Sequence, residues 1–203
     1  MSFIDNFSRK VWIFVLKHKN EALKKFKEWI TLIKHQTYKK IKRLQTDNGL
    51  EYCSKKFKDF CKSKGIARHR TVTYTPQQNG LAERMNRTLI ERVRCMLLNL
   101  SLSKGFWADA VTTATYLINR SPSTALGFKT PQEIWSRKPP DLSNLRIFGC
   151  PAYAHIKQSK LEPRAVKGYF LGYPEGIKGY KIWTLNRKPS RILVSRDVTF
   201  DEE

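Results

Sequence analysis

Acidic side chains are what this sequence most conspicuously lacks: 17 aspartates and glutamates stand against 39 lysines and arginines, a formal net charge of +22. A chain so charged repels itself unless an anion compensates, which makes a polyanion the expected partner and nucleic acid the first choice. Cysteine is also scarce. Cys53, Cys61, Cys95 and Cys150 form no C-x-x-C pair, and His18, His35, His69 and His155 supply no zinc spacing. Zinc-ribbon chemistry is thereby set aside, and nothing points to a secreted disulfide framework, so the thiols are expected to be reduced, mostly buried and intracellular. No apolar run approaches the roughly 18–20 residues of a membrane span. The polar start Met1-Ser2-Phe3-Ile4-Asp5 is not that of a signal peptide. Internal repeats and low-complexity tracts are missing too.

What is present is a globular composition, 40% hydrophobic and 12% aromatic over 203 residues, enough for one large domain or two small ones. Phe3-Ile4-Asp5 and Lys10 to Leu16 read as the two arms of a hairpin turning at Asn6 to Arg9. Asn20 is a candidate cap for a helix reaching about Gln36, with Leu23, Phe26, Ile30 and Ile33 on one face and Lys24, Lys25, Lys27 and Lys34 on the remainder. Ile41 to Thr46 reads as a short strand. Ser54 caps a second helix that Gly65 closes, and Ile66 to Val72 reads as a further strand.

A long helix is expected from about Asn79 to Leu100, with Met85, Leu89, Val93, Met96 and Leu100 on its core stripe. Glu83, Arg87 and Arg94 fall on a different stripe, because offsets of 4 and 11 residues nearly return to one angle. Phe106 to Asn119, which carries Trp107, Ala110, Val111, Ala114, Leu117 and Ile118, reads as another helix, and Thr130-Pro131 starts a short one. From about Asp141 the texture changes to short aromatic segments punctuated by Gly and Pro, beginning with Ile147 to Cys150, as in a small β-barrel. The boundary falls near Pro139-Pro140, giving domains 1–138 and 141–203.

Chemistry concentrates at two carboxylates. Asp47 stands where the Ile41 to Thr46 strand ends in an Asn-Gly turn, and ligand sites of α/β sheets gather at such ends. Glu83 opens the long helix. Carboxylates, water and substrate phosphate are the ligand set that magnesium prefers. Their spacing carries little by itself among 17 acids: a turn-forming Asp and a first-turn Glu favoured by the helix dipole would look the same.

Context changes the weight. Leu44-Gln45-Thr46-Asp47-Asn48-Gly49-Leu50-Glu51-Tyr52, followed by Thr75-Pro76-Gln77-Gln78-Asn79-Gly80-Leu81-Ala82-Glu83-Arg84, resembles the catalytic core of copia-type retrotransposon integrases. Asp5 to Arg9 with Trp12 is similar to that family's early hairpin. Gly127 to Trp135, Leu145 to Cys150, Gly168 to Tyr173, Gly179 to Trp183 and Ser195 to Phe200 are similar to its downstream region. The resemblance covers essentially the whole chain. It implies an α/β, RNase-H-like core, a mixed sheet with flanking helices and its first strand missing, followed by a small all-β barrel.

The resemblance also implies an Asp, Asp, Glu triad holding Mg2+ or Mn2+, of which Asp47 and Glu83, with 35 residues between them, match the last two acids. The family's first Asp lies on a strand preceding the hairpin, so it is absent here. Asp5 is not its substitute, since it belongs to the hairpin turn. Leu50 departs from the Gly that many relatives carry and is expected to stiffen or displace the turn beside Asp47. Lys42, Arg43, Arg84, Arg87 and Arg94 are the candidate phosphate contacts, with Lys39 and Lys40 beside them, while Gln78 and Asn79 belong to a loop over the metals.

The implied partners are element-end and target DNA, a second copy or full-length integrase, and no membrane; the implied compartment is the nucleus. Three readings stay open. One is an integrase region for DNA strand transfer, inactive or severely weakened alone because an acid and its metal affinity are lost. The second is a non-catalytic basic DNA-binding remnant or interaction partner of full-length integrase, and the third is a degenerate reading frame with no selected role. Without the central strand, the isolated chain is expected to be marginally stable or self-associating.

Overall fold

The computed structural model describes residues 1–72, 79–99, 104–156, 164–184 and 191–202. It packs as two units, Met1–Ser2 with Phe14–Arg87, and Phe3–Ile13 with Thr88–Glu203.

In the first unit, helix α1 (Ala22–Thr37) buries Ala22, Phe26, Trp29 and Ile33, a spacing of four, three and four residues that keeps one stripe on the core. The helix enters through a 3-10 turn, Lys19–Glu21, which takes in Asn20; Asn20 therefore lies inside the turn and caps nothing. Strand β3 (Arg43–Thr46) alternates exposed and buried residues and pairs in parallel with β4 (Ala67–Arg70), Leu44 opposite Arg68. Both strands are shorter than their apolar runs suggest.

Helix α3 (Lys55–Ser63) connects these strands. Ser54 Oγ accepts from the Phe57 N–H at its start, Gly65 adopts φ +67 past its end, and the Ile66 N–H donates to the Cys61 carbonyl. Cap and left-handed glycine thus satisfy end groups that the helix itself leaves open. Phe26 and Phe57, both fully buried, stack at 5.0 Å between centroids and tie α1 to α3. A short helix that periodicity does not reveal, α2 (Leu50–Cys53), fills the step between β3 and α3. It is pinned by Tyr52, whose ring meets Phe57 edge-on at 5.5 Å.

Helix α4 (Gly80–Asn99) buries Leu89 and Val93, with Met85 and Met96 half-buried, while Glu83, Arg87 and Arg94 are exposed on the other stripe. Leu100 lies outside the described residues.

The hairpin of β1 (Ser2–Ile4) and β2 (Val11–Ile13) turns on Asp5, whose Oδ2 accepts from the Ser8 N–H and hydroxyl, each at 2.7 Å. In the second unit α5 (Trp107–Ile118) backs β2. Asn119, just past its end, brackets Val11: its Oδ1 accepts the Val11 N–H at 2.9 Å and its Nδ2 donates to the Val11 carbonyl at 2.8 Å. A buried amide side chain here does the work of a neighbouring strand. Trp107, which helical spacing assigns to the apolar side, is 48% exposed at the first turn of α5.

Helix α6 (Pro131–Ser136) has Thr130 as its cap and Pro131 inside its first turn. Strands β5 (Pro151–His155), β6 (Ala165–Gly172), β7 (Tyr180–Thr184), β8 (Arg191–Ser195) and β9 (Val198–Phe200) form one antiparallel sheet in the order β8-β7-β6-β5-β9. Cys150, Ala152, Ala154, Phe170 and Ile182 are its buried core. Ile147 to Cys150, whose apolar run suggests a strand, forms a turn instead: Gly149 takes φ +79 and the Cys150 N–H donates to the Ile147 carbonyl.

Candidate active site

Parallel pairing delivers Asp47 directly after the last residue of β3. The backbone then turns at Asn48, whose Nδ2 donates to the Thr71 carbonyl and fastens the turn to the exit of β4. Asp47 Oδ1 accepts the Gly49 N–H at 3.0 Å, an Asx turn that holds the carboxylate while leaving it exposed.

Gly49 is the tight point. A Cβ placed there would sit 3.0 Å from Asp47 Oδ1 and 3.0 Å from Glu51 Oε2. One methyl group would touch both carboxylates, so the two acids flank the same backbone atom. Sequence reading passes over Glu51, because only the unforeseen α2 turns it back beside Asp47. The available signal is the Asp-x-Gly-x-Glu order, in which an Asx turn followed at once by a helix brings the acids together. Leu50 is the first residue of α2 and is 87% exposed.

Tyr52 registers this concentration of negative charge. Burial, then Glu51, then Asp47 push its phenol up to about 12, each disfavouring the phenolate. The Met1 amino group is lowered by burial, and Glu51 works in the opposite direction.

Glu83 stands exposed in the first turn of α4. Arg84, next to it, folds back so that its guanidinium Nη1 lies 3.0 Å from where a Cβ on Gly80 would stand. Asn86, one turn on, accepts from the Ser2 hydroxyl at 2.9 Å. Arg87 is exposed and available to a phosphate, as are Lys42 and Arg43 ahead of Asp47 and Arg94 farther along α4. Asn79 is half-buried at the entry to α4. Gln78 and the preceding Thr75 to Gln77 lie outside the described residues.

Asp47, Glu51 and Glu83 supply hard oxygen donors, the chemistry a magnesium ion takes. Among the described residues, however, no three Asp, Glu, His or Cys side chains assemble into a group that could hold a metal. Asp5 adds nothing, its carboxylate being engaged within its own turn. The donor set therefore fits a divalent ion in kind, with no group of three such side chains among the described residues.

Comparison with known proteins gives these features a setting. Residues 1–76 match the integrase core domain family, and residues 150–203 match the retroviral polymerase SH3-like domain family. The retrovirus-related Pol polyprotein from transposon TNT 1-94 of Nicotiana tabacum is 44% identical over all of this chain. The chain spans 15% of that relative's length. Among solved structures, a simian T-cell lymphotropic virus intasome in complex with PP2A regulatory subunit B56 gamma aligns over 98% of this chain and 70% of its own, with a TM-score of 0.56 at 20% identity. The HTLV-2 integrase catalytic core domain in complex with magnesium aligns over 66% of this chain and 81% of its own, with a TM-score of 0.50 at 22% identity. At those identities the structural likeness speaks for the fold.

Proposed function

This chain carries an integrase core domain and a retroviral polymerase SH3-like domain and is homologous along its full length to plant retrotransposon Pol polyproteins, and from that premise we propose that it is the integrase region of a copia-type element. The observation that carries this reading furthest is the exposed Asp47 carboxylate, set by an Asx turn at the carboxyl end of a parallel strand. Residues 1–138 are read as the catalytic core and 141–203 as the small barrel that follows it.

Asp47 and Glu83 are the residues that would hold Mg2+ or Mn2+. Such an ion, when bound, would help activate an attacking oxygen and stabilise the leaving oxygen at a DNA phosphodiester. The chain's own residues supply the rest. Lys42, Arg43, Arg84, Arg87 and Arg94 supply cations for DNA phosphates, with Asn79 at the entry to α4 and Gln78 just before it in sequence. Such contacts fix the backbone in place without reading sequence. Two carboxylates hold a divalent ion weakly, so these 203 residues alone bind DNA but transfer strands poorly or not at all. Element-end and target DNA are the substrates, a second copy or full-length integrase the protein partner, and the nucleus the compartment in which both DNAs meet.

The test is a strand-transfer assay with an oligonucleotide end and a target duplex, run beside a DNA-binding titration in Mg2+ and in Mn2+. Salt-sensitive binding that survives Glu83→Gln is expected, with strand transfer appearing only when a third acid is supplied by an added upstream strand. Transfer by the chain alone, abolished by Asp47→Asn, would overturn the assigned inactivity. Failure to bind DNA even at low salt would sink the reading as a whole.

A further inference from the structure

The first unit holds a groove that the acids do not use. It has a volume of about 510 Å3 and is lined by Lys27 and Lys34 of α1, Lys39 and Lys40 of the segment leading to β3, and Lys64 at the end of α3. Among the described residues no carboxylate lines it. Among the described residues none of these five lysines has an ion-pair partner, and Lys27 rests over the Phe60 ring, 5.0 Å from its centroid. Ile30, Ile41, Phe60 and Ile66 contribute its apolar surface.

Sequence leaves these lysines scattered as a solvated helix face and a basic stretch before Asp47. The fold gathers them. Lys27, Ile30, Thr31 and Lys34 form a second stripe of α1, separate from the one that buries Phe26 and Ile33.

We propose that this groove is a second nucleic-acid contact, distinct from the Asp47 site, which takes phosphates of a DNA backbone. The proposal rests on the reading of this chain as a DNA-binding integrase region and extends it to a surface that reading does not use. Two arguments favour a phosphate backbone, and a third sets the groove apart from the acids. Five ammonium groups around one groove repel one another unless an anion lies among them. All five are lysines, compact charges on flexible stems, suited to a run of phosphates and to none of the planar bidentate recognition that arginine provides. The groove also cannot share its phosphates with the acids. Ile41 lines it just before β3, and Asp47 stands just after β3, a strand about 13 Å long by itself. Phosphates of one strand lie about 3.4 Å apart along a duplex, so the two positions touch different nucleotides.

The experiment is lysine acylation of the whole chain, free and with a duplex oligonucleotide, read by mass spectrometry. Lys34, Lys39, Lys40 and Lys64 are expected to be protected by DNA. In parallel, duplex affinity is measured against salt for the natural chain, for K34Q/K39Q/K40Q and for R84Q/R87Q. Loss of three phosphate contacts should weaken binding about tenfold or more and flatten the logarithmic salt slope by about 2.7. The acylation arm needs no variant, so it decides the matter even if the triple substitution unfolds the chain.

Unprotected lysines and an unchanged slope, with R84Q/R87Q weakened, would overturn the groove while leaving the proposed function intact. A natural chain that binds no duplex at low salt removes both. If a poly-glutamate peptide protects these lysines where the duplex does not, the groove docks an acidic protein segment and the proposal is wrong.

Discussion

Tyr52 is the residue through which the charge of Asp47 can be read without any catalysis. Its phenol is pushed up to about 12 by burial and then by Glu51 and Asp47. Asp47→Asn removes one of those negative charges, so the ionisation should move down, followed by NMR of labelled tyrosine across an alkaline titration. A divalent ion at Asp47 should move it the same way, and an unmoved Tyr52 in both cases would show that Asp47 is not the charge it feels. Lys10 offers a second titration. Its ammonium lies 5.4 Å from the Trp12 ring centre and 5.1 Å from that of Trp135, and donates to Gln132 Oε1. Burial first and Arg120 second lower it to about 8. The unfolded lysine keeps its proton to about 10.4. Between those values the folded state therefore binds fewer protons than the unfolded one. Stability contributed at Lys10 should accordingly rise with pH from about 8 upward. Melts of the natural chain and Lys10→Met from pH 7 to 10 should show the natural chain gaining relative to the variant; a pH-independent difference contradicts this.

Among the elements, α2 is the one on which the site depends. It lies directly after Gly49 and is held because Tyr52 has Phe57 to rest on. Gly49 has φ −54 and ψ 136, a conformation alanine also adopts. Gly49→Ala should therefore fold with its melting temperature nearly unchanged. Its new methyl group meets Asp47 and Glu51 at 3.0 Å each and must push both carboxylates aside. The expected signature is an altered Tyr52 ionisation at preserved stability; a large loss of stability would mean that Gly49 matters for the backbone instead. The junction of α5 with β2 works differently. Asn119→Ala leaves the Val11 N–H and carbonyl buried and unpaired, a loss of roughly 2–4 kcal/mol, measurable by urea unfolding. A cost below about 1 kcal/mol would mean that water or another group replaces the amide.

At the scale of the whole molecule, net charge and narrow sheets set the behaviour. DNA binding should weaken steeply with salt and depend little on sequence, because lysine and arginine contacts to phosphates release counterions. Equal affinity at 50 and 200 mM salt would remove the electrostatic account. Among the described residues β3 has one strand partner, β4, and the hairpin of β1 and β2 is a separate two-stranded sheet. Narrow sheets of this kind are marginal alone. The chain is therefore expected to melt broadly or to self-associate, and joining an upstream strand to it should sharpen the transition. A monomer that already melts sharply contradicts that expectation.

Much of this protein is written locally. The Ser54 cap, the left-handed Gly65, the stripe of α1 and the order of helices and strands follow from short-range sterics and apolar period, and the quoted motifs carry the lineage. Asp47 and Glu83 are named by motif context, since two acids at that spacing say little alone. The tertiary structure decided what depends on distant residues meeting. It shortened the strands to the residues that find partners, and it made Ile147 to Cys150 a turn, because Gly149 adopts a backbone that no strand continues. It also turned Glu51 toward Asp47 around a glycine with no side chain to keep them apart. Finally, it drew lysines from α1, α3 and the approach to β3 around one groove, a convergence that no linear spacing records.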